Sequence, residues 1–259
     1  YSECPDLSLL TTNYRPLIKN FSTIWGTSSA AAPAAWFCSQ LLAEYPDMWP
    51  ETVRALMIHS ASWTEQMKRQ FCIEDTKTKG RRRLLRTCGY GIPDLGKAIQ
   101  CMNNSVNMVI QGELQPYNKN SMNEMHIHTL PWPTEVLKEL ESETVTLKVT
   151  LSYFIEPGPG EVGWKDKYRY PSCGLRFDVI NSNEDIEDFK KRINVKMRGD
   201  DKKDKGEGTS GSERWYLGSD IRDVGSIHSD YCDLTAAELC DCKNIAVFPV
   251  IGWWRERSY

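Results

Sequence analysis

Small and apolar residues crowd the stretch Ala30–Leu42, alternating apolar positions take over after Thr144, and a charged belt lies between. Ala30, Ala31, Ala34, Ala35, Phe37, Cys38, Leu41 and Leu42 cover most of a helical circumference. That pattern predicts a helix from Ser28 to just before Tyr45-Pro46, buried nearly all round. A second helix is predicted from Pro50, a residue suited to a first turn. It continues through Val53, Leu56 and Met57 at three- and four-residue spacing. Ahead of both, Leu7–Thr12 reads as a short strand and Asn13–Ser22 as a polar loop. The basic stretch from Lys68 to Arg86, with Arg81-Arg82-Arg83, reads as a solvated loop or helix face. Gly89–Asp94 makes a turn, and Asp94 is placed to cap a last helix through Ala98 and Ile99.

The second half carries a different period. Val145–Leu151, Gly174–Ile180 and Asn244–Ile251 alternate as strands do, with the loop Glu156-Pro157-Gly158-Pro159-Gly160 after the first. A short helix is expected over Glu184–Val195. The charged, glycine-rich run 199–212 reads as a flexible loop. The expected domains are therefore 1–103, helix-rich, and 144–259, strand-rich, with 104–143 as a bridge.

Length and composition narrow the classes. The chain has 259 residues, enough for one large domain or two ordinary ones. Its 40% apolar and 26% charged residues are ordinary for a globular protein. A net charge of -3 gives no electrostatic case for nucleic acid or an anionic membrane surface. No apolar run approaches the ~18 residues that span a bilayer. Neither partner is expected. Tyr1 follows no start methionine or signal peptide, so the chain reads as an excised segment. The nine cysteines are odd in number and scattered, and Cys240 and Cys242 stand too close for a C-x-x-C pair. They read as free thiols in a reducing compartment, so a bacterial cytoplasm is the expected address.

One segment can carry chemistry. An activated serine needs exposure at a sharp turn, donors for an oxyanion and a base. Gly26-Thr27-Ser28 leading into a helix supplies the first two. Glycine lets a substrate backbone approach, and a helix N-terminus offers free N–H groups and a favourable dipole. Alone, the tripeptide is equally an ordinary helix start with serine as cap.

The wider context resembles the subtilisin family of serine peptidases. Gly26-Thr27-Ser28-Ser29-Ala30 is similar to its nucleophile motif G-T-S-x-A-x-P. The alanine-rich stretch to Glu44, the turn Tyr45-Pro46-Asp47 and the run Pro50–His59 follow the family's course. Cys88-Gly89-Tyr90-Gly91-Ile92-Pro93-Asp94 resembles the turn that closes its catalytic domain. The resemblance covers about residues 1–103. It implies Ser28 as nucleophile, with Gly26 and Thr27 supporting the turn and oxyanion. There is one departure. The family's proline falls four residues after its serine, whereas here Ala32 holds that place and Pro33 follows. Alignment on the proline would nominate Ser29; the spacing to Tyr45-Pro46 and the small Ala30 favour Ser28.

The family's triad runs aspartate, histidine, serine along the chain, yet no histidine precedes Ser28. Asp6 and Glu3 are the acids there, while the family's aspartate stands far earlier. The oxyanion asparagine is also expected upstream. Of the four histidines, His59 ends a helix and reads as structural. His126 and His128 alternate on one side of a strand without a third metal ligand, and His228 lies in what reads as a loop. None is assigned catalysis. The resemblance thus implies the C-terminal part of a larger peptidase acting on peptide or protein substrates, inactive without its missing N-terminal part. A partial parallel sheet should also expose apolar surface where the rest belongs.

The implied fold class is α/β plus all-β: the end of a parallel subtilisin-like α/β sandwich, then a β-sandwich resembling the jelly-roll domains of some large bacterial subtilases. Trp164, Tyr168, Tyr170, Trp215, Tyr216, Trp253 and Trp254 fill a core or line a carbohydrate or peptide surface. Glu156, Glu161, Asp166 and Asp178 lack the loop spacing of a calcium site, so no cofactor is expected. Two rival readings remain: a degenerate peptidase kept for interaction, and a sugar- or protein-binding sandwich supported by the first half.

Overall fold

The computed structural model describes residues 8–72, 77–103, 106–118, 121–155, 173–198 and 214–250. They fall into two compact units that divide between Met48 and Trp49. The expected loop 156–160, the run 199–212, Trp164, Tyr168, Tyr170, Trp253 and Trp254 lie outside the described residues.

In the first unit, β1 (Leu9–Thr12) and β2 (Phe21–Ile24) pair antiparallel, Leu9 opposite Ile24 and Thr12 opposite Phe21. Asn13 closes the turn, its N–H donating to Asn20 O at 2.9 Å and its side chain accepting from Arg15 N at 2.8 Å. The polar loop read to Ser22 is therefore shorter, because four residues of β2 are too few to show a period. Through Trp25 and Gly26 the chain enters α1 (Thr27–Glu44). Only Phe37 and Leu41 of α1 are buried, which corrects the all-round burial expected of it. Its alanines carry too little apolar area to demand cover, and the bulky pair at i and i+4 takes what there is. Leu10, Tyr14, Leu17 and Ile18 are more than 70% exposed.

Every described strand pair is antiparallel, so the expected parallel sheet is not what these residues form. The physical reason is local. Parallel strands need a crossover of a dozen or more residues, and the loop from Asn13 to Asn20 that joins β1 to β2 is shorter than that.

The second unit is mixed α/β with small antiparallel sheets and, among the described residues, no barrel. It opens with α2 (Pro50–Ser60), whose Pro50 sits in the first turn as expected. A helical hairpin follows, α3 (Glu65–Cys72) and α4 (Lys77–Cys88), then α5 (Leu95–Asn103). Asp94 caps α5 by accepting from Lys97 N at 3.0 Å. At the turn before it, Gly91 has φ 96°, and a Cβ there would meet Ser62 O at 2.2 Å. Only glycine fits. Part of the basic stretch is not simply solvated: the Arg81 guanidinium lies 4.3 Å over the Tyr216 ring, which stacks on Tyr231 at 4.8 Å.

The supposed bridge is built into the fold. A two-residue ribbon, β3 (Tyr117–Asn118) with β4 (Ser121–Met122), precedes β5 (His126–Thr129) and α6 (Thr134–Leu140). Then come β6 (Thr144–Ser152), β7 (Gly174–Val179), α7 (Ile186–Arg198), α8 (Ser219–Arg222), β8 (Ile227–Thr235), α9 (Ala236–Asp241) and β9 (Asn244–Val250). One sheet runs β5-β9-β7 and another is the pair β6-β8. Strand β9 is buried on both faces, which explains its unbroken apolar run. Ile245 joins Leu147, Phe177, Cys232 and Leu239 in one core. Ala246 and Phe248 join Phe189, Ile193 and Met197 of α7 in another.

Strand β6 fastens the helices to this half. Its residues Val145, Leu147, Val149 and Leu151 point into the core, and its polar residues meet α2. Arg54 donates to Ser152 Oγ at 2.9 Å, Tyr153 O at 2.8 Å and Ser226 O at 2.7 Å. Lys148 Nζ caps the end of α2 by donating to His59 O at 2.6 Å and Ala61 O at 2.8 Å. The compact unit therefore begins at Trp49, whereas the sequence placed boundaries at 103 and 143.

Replacement of Arg54 by alanine should lower the stability of the chain by about 3 kcal/mol, because three carbonyl and hydroxyl acceptors lose a charged donor together. Urea unfolding measures it, and Arg54→Lys should recover less than half, since an ammonium cannot span the fork.

Candidate functional site

The helix start at Ser28 is set by the backbone of Gly26, at φ 138° and ψ 166°. That region is open essentially to glycine alone. No atom lies within 4 Å of where a Cβ would stand, so conformation rather than crowding demands the glycine. Gly26 is the N-cap and makes no side-chain cap bond, which leaves Thr27 and Ser28 as the first two helical residues. Ser28 thus does not hold the capping position.

Ser28 is exposed and Ser29, next along the turn, is half-buried. The first helical bond runs from Ala30 N to Gly26 O at 3.1 Å. Ahead of it, the N–H groups of Thr27, Ser28 and Ser29 make no backbone hydrogen bond among the described residues. An exposed hydroxyl therefore stands among free donors at the positive end of an 18-residue helix. Such an arrangement can present an oxygen nucleophile and stabilise negative charge on a carbonyl oxygen. Pro33, inside the helix, has no N–H to give Ser29 O, so that carbonyl loses its usual partner.

No histidine belongs to the unit of Ser28. Residues 1–48 contain no histidine; all four belong to the second unit. His59, at the end of α2, bonds through Nδ1 to Thr150 Oγ1 at 2.9 Å. Burial, and after it the Lys148 ammonium, push its imidazole down to about 4, against a hydrogen bond with Asn107. Neutral and fully engaged, it is a structural residue. His126 and His128 do share one side of β5, with ring centroids 5.9 Å apart. Glu124 approaches His126 at 3.8 Å, and no group of three His, Cys, Asp or Glu among the described residues could hold a metal.

His228 is the one misplaced by sequence. It lies on β8, not in a loop, and is buried. Around it sits a buried polar cluster that sequence reasoning missed. Arg222 Nε bonds Asp223 Oδ1 at 2.8 Å, and Asp223 stands 4.0 Å from His228 Nδ1. Asp230 accepts from Leu217 N at 2.9 Å and Gly218 N at 3.0 Å. The inward series His228, Asp230, Cys232, Leu234 does alternate, but two polar members hide it. Burial pushes the His228 imidazole below its usual value, although Asp223 opposes the shift.

Asp178, considered for calcium, is bound instead by Arg192 and Lys196, each at 2.6 Å. Burial would raise its carboxyl, but Lys196 and then Arg192 outweigh that and hold it below its ordinary range. Trp215 fills the core, edge-on to Phe177 at 5.4 Å. Cys38, Cys88, Cys101, Cys232, Cys240 and Cys242 are free thiols, and burial pushes Cys232 up to about 12.

Comparison with known proteins bears on the first of these places. Residues 1–91 match the model of the Subtilase family, so this segment is subtilisin-like. The family is one of serine peptidases, which are hydrolases. Over 194 residues the chain is 27% identical to the uncharacterized protein y4bN of Sinorhizobium fredii (strain NBRC 101917 / NGR234). The match covers 74% of this chain and 41% of that protein; the chain spans less than half the length of the relative. No solved structure matches.

The histidine environment gives a pH dependence with a fixed sign. The unfolded chain takes up a proton at His59 near 6.5, and the folded chain only near 4. Each pH unit lost between those values should therefore cost about 1.4 kcal/mol of stability. His228 adds to the same direction. Urea unfolding at pH 7 and pH 4.5 measures the loss, and His59→Gln should flatten the slope without removing it.

Proposed function

We propose that this chain is the nucleophile-bearing part of a subtilisin-like serine endopeptidase, with Ser28 as the attacking residue. The observation that carries the reading is the exposed Ser28 hydroxyl at a helix mouth, inside the segment that matches the subtilase family. In the reaction, Ser28 Oγ bonds to the scissile carbonyl carbon and its proton passes to a histidine. The peptide C–N bond breaks, the amine leaves with that proton, and water then releases the acyl group from Ser28. Gly26 and Thr27 shape the turn, and N–H groups of the first helical turn hold the oxyanion.

The histidine and its aspartate come, on this reading, from a part of the protein upstream of these residues. Support for that comes from the absence of any histidine before Ser28 and from the relative's greater length. The exposed Leu10, Tyr14, Leu17 and Ile18 suit a surface against which such a part would pack. This chain alone is then inactive, since losing triad members costs about 10⁴–10⁶ in turnover in subtilisin. The strand-rich half is an accessory β-sandwich in the jelly-roll manner, its shared core drawing on both antiparallel sheets.

A fluorophosphonate probe tests the proposal on the full-length protein. Labelling should occur, vanish in Ser28→Ala and persist in Ser29→Ala. Equal labelling of the parent protein and Ser28→Ala would defeat the assignment, and so would no labelling of either, as expected of a degenerate peptidase. Gly26→Ala should slow labelling at least about tenfold, because alanine is strained at the turn that presents the serine.

A further inference from the structure

Strand β6 pairs with β8 on one side only among the described residues. The register identifies its spare main-chain groups. Tyr153 N bonds Ser226 O, and Ala236 N bonds Glu143 O. In an antiparallel ladder the N–H and C=O of one residue point the same way. The odd-numbered residues from 145 to 151 therefore face β8. Thr144, Thr146, Lys148, Thr150 and Ser152 turn their N–H and C=O the other way, where no described strand meets them.

That edge runs along a cleft of about 1190 Å³. All residues from Val145 to Phe154 line it. A strand's face would contribute only alternate residues, so the cleft follows the edge itself. The rest of the lining is largely apolar and includes Val136, Phe177 and Val247, with His126 and His128 as polar points. Val109 and Ile110, both exposed, also line it. The charge of Lys148 is engaged by His59 O and Ala61 O, so it does not call for an acidic ligand.

The geometry points to a binding site for an extended, uncharged, apolar segment of another polypeptide, which adds to β6 as the third strand of the β6-β8 sheet. Alternating donors and acceptors along a strand are matched by another peptide backbone, and apolar walls select its side chains. A lipophilic small molecule would fill the volume and leave those groups unpaired. A recessed edge admits a single strand more readily than the edge of a second folded copy. Nine residues of β6 offer about 30 Å of edge, room for an octapeptide. The site lies wholly in the second unit and does not depend on the role of Ser28.

Fluorescence polarisation on this chain tests it with a fluorescein-labelled octapeptide amide of alternating threonine and valine. The same peptide with every amide N-methylated is the control, since it cannot donate. Saturable binding of the first, at least about tenfold tighter than the second, is expected. Thr146→Pro removes one outward N–H at an edge that tolerates proline. It should weaken binding about tenfold while circular dichroism stays unchanged. Equal affinity for both peptides would overturn the proposal in favour of an unspecific apolar cavity. No saturation would also overturn it, as would a dimer by light scattering that excludes the peptide.

Discussion

Strand β6 has two unlike faces, and the second unit is organised around that difference. Its apolar side chains enter the core with Phe177, Cys232 and Ile245. Its polar ones receive α2 through Arg54, His59 and the Lys148 cap. A period of two thus decides both what is buried and what is docked. A one-residue slip in register would put Lys148 into the core and Leu147 against the end of α2. Helices that look in sequence like part of the first half are held by the second for this reason.

The first unit obeys a different constraint. A two-stranded hairpin delivers the chain to Gly26, whose backbone conformation starts α1 before either serine. Because the cap position is filled by a residue without a side chain, no hydroxyl or carboxylate covers the first N–H groups. Serine or aspartate at that place would have been the stabilising choice, worth about 1 kcal/mol. A helix start left open next to an exposed hydroxyl is a local sacrifice of stability, and such sacrifices concentrate where chemistry is done.

Much of this was legible in the residues. The starts of α1 and α2, the Asp94 cap and the alternation of β6 follow from punctuation and period, which are local signals. The subtilisin-like segment was legible for the same reason, since Gly26, Thr27 and Ser28 adjoin in sequence. What escaped needs long-range pairing. Four residues of β2 show no period, and His228 and Asp230 disguise the inward face of β8. The compact unit that starts at Trp49 includes Arg54 reaching Ser226, which no local pattern reports. The all-round burial expected of α1 failed because apolar character measures willingness to be covered, whereas cover has to be supplied by other surfaces.

The start of α1 and the outer edge of β6 are both made of main-chain groups more than of side chains. At the start of α1 the free groups are N–H donors beside exposed Ser28, where water can meet them and a developing oxyanion can displace it. Along β6 they alternate as donors and acceptors beside apolar walls, where water is a poorer partner. Unpaired backbone groups in such surroundings are costly in proportion to their dryness, so the β6 edge has the stronger physical demand for a partner. The helix start has the stronger demand for charge. The ligands proposed for the two places differ accordingly: a carbonyl turning into an oxyanion at one, and a whole strand of peptide at the other.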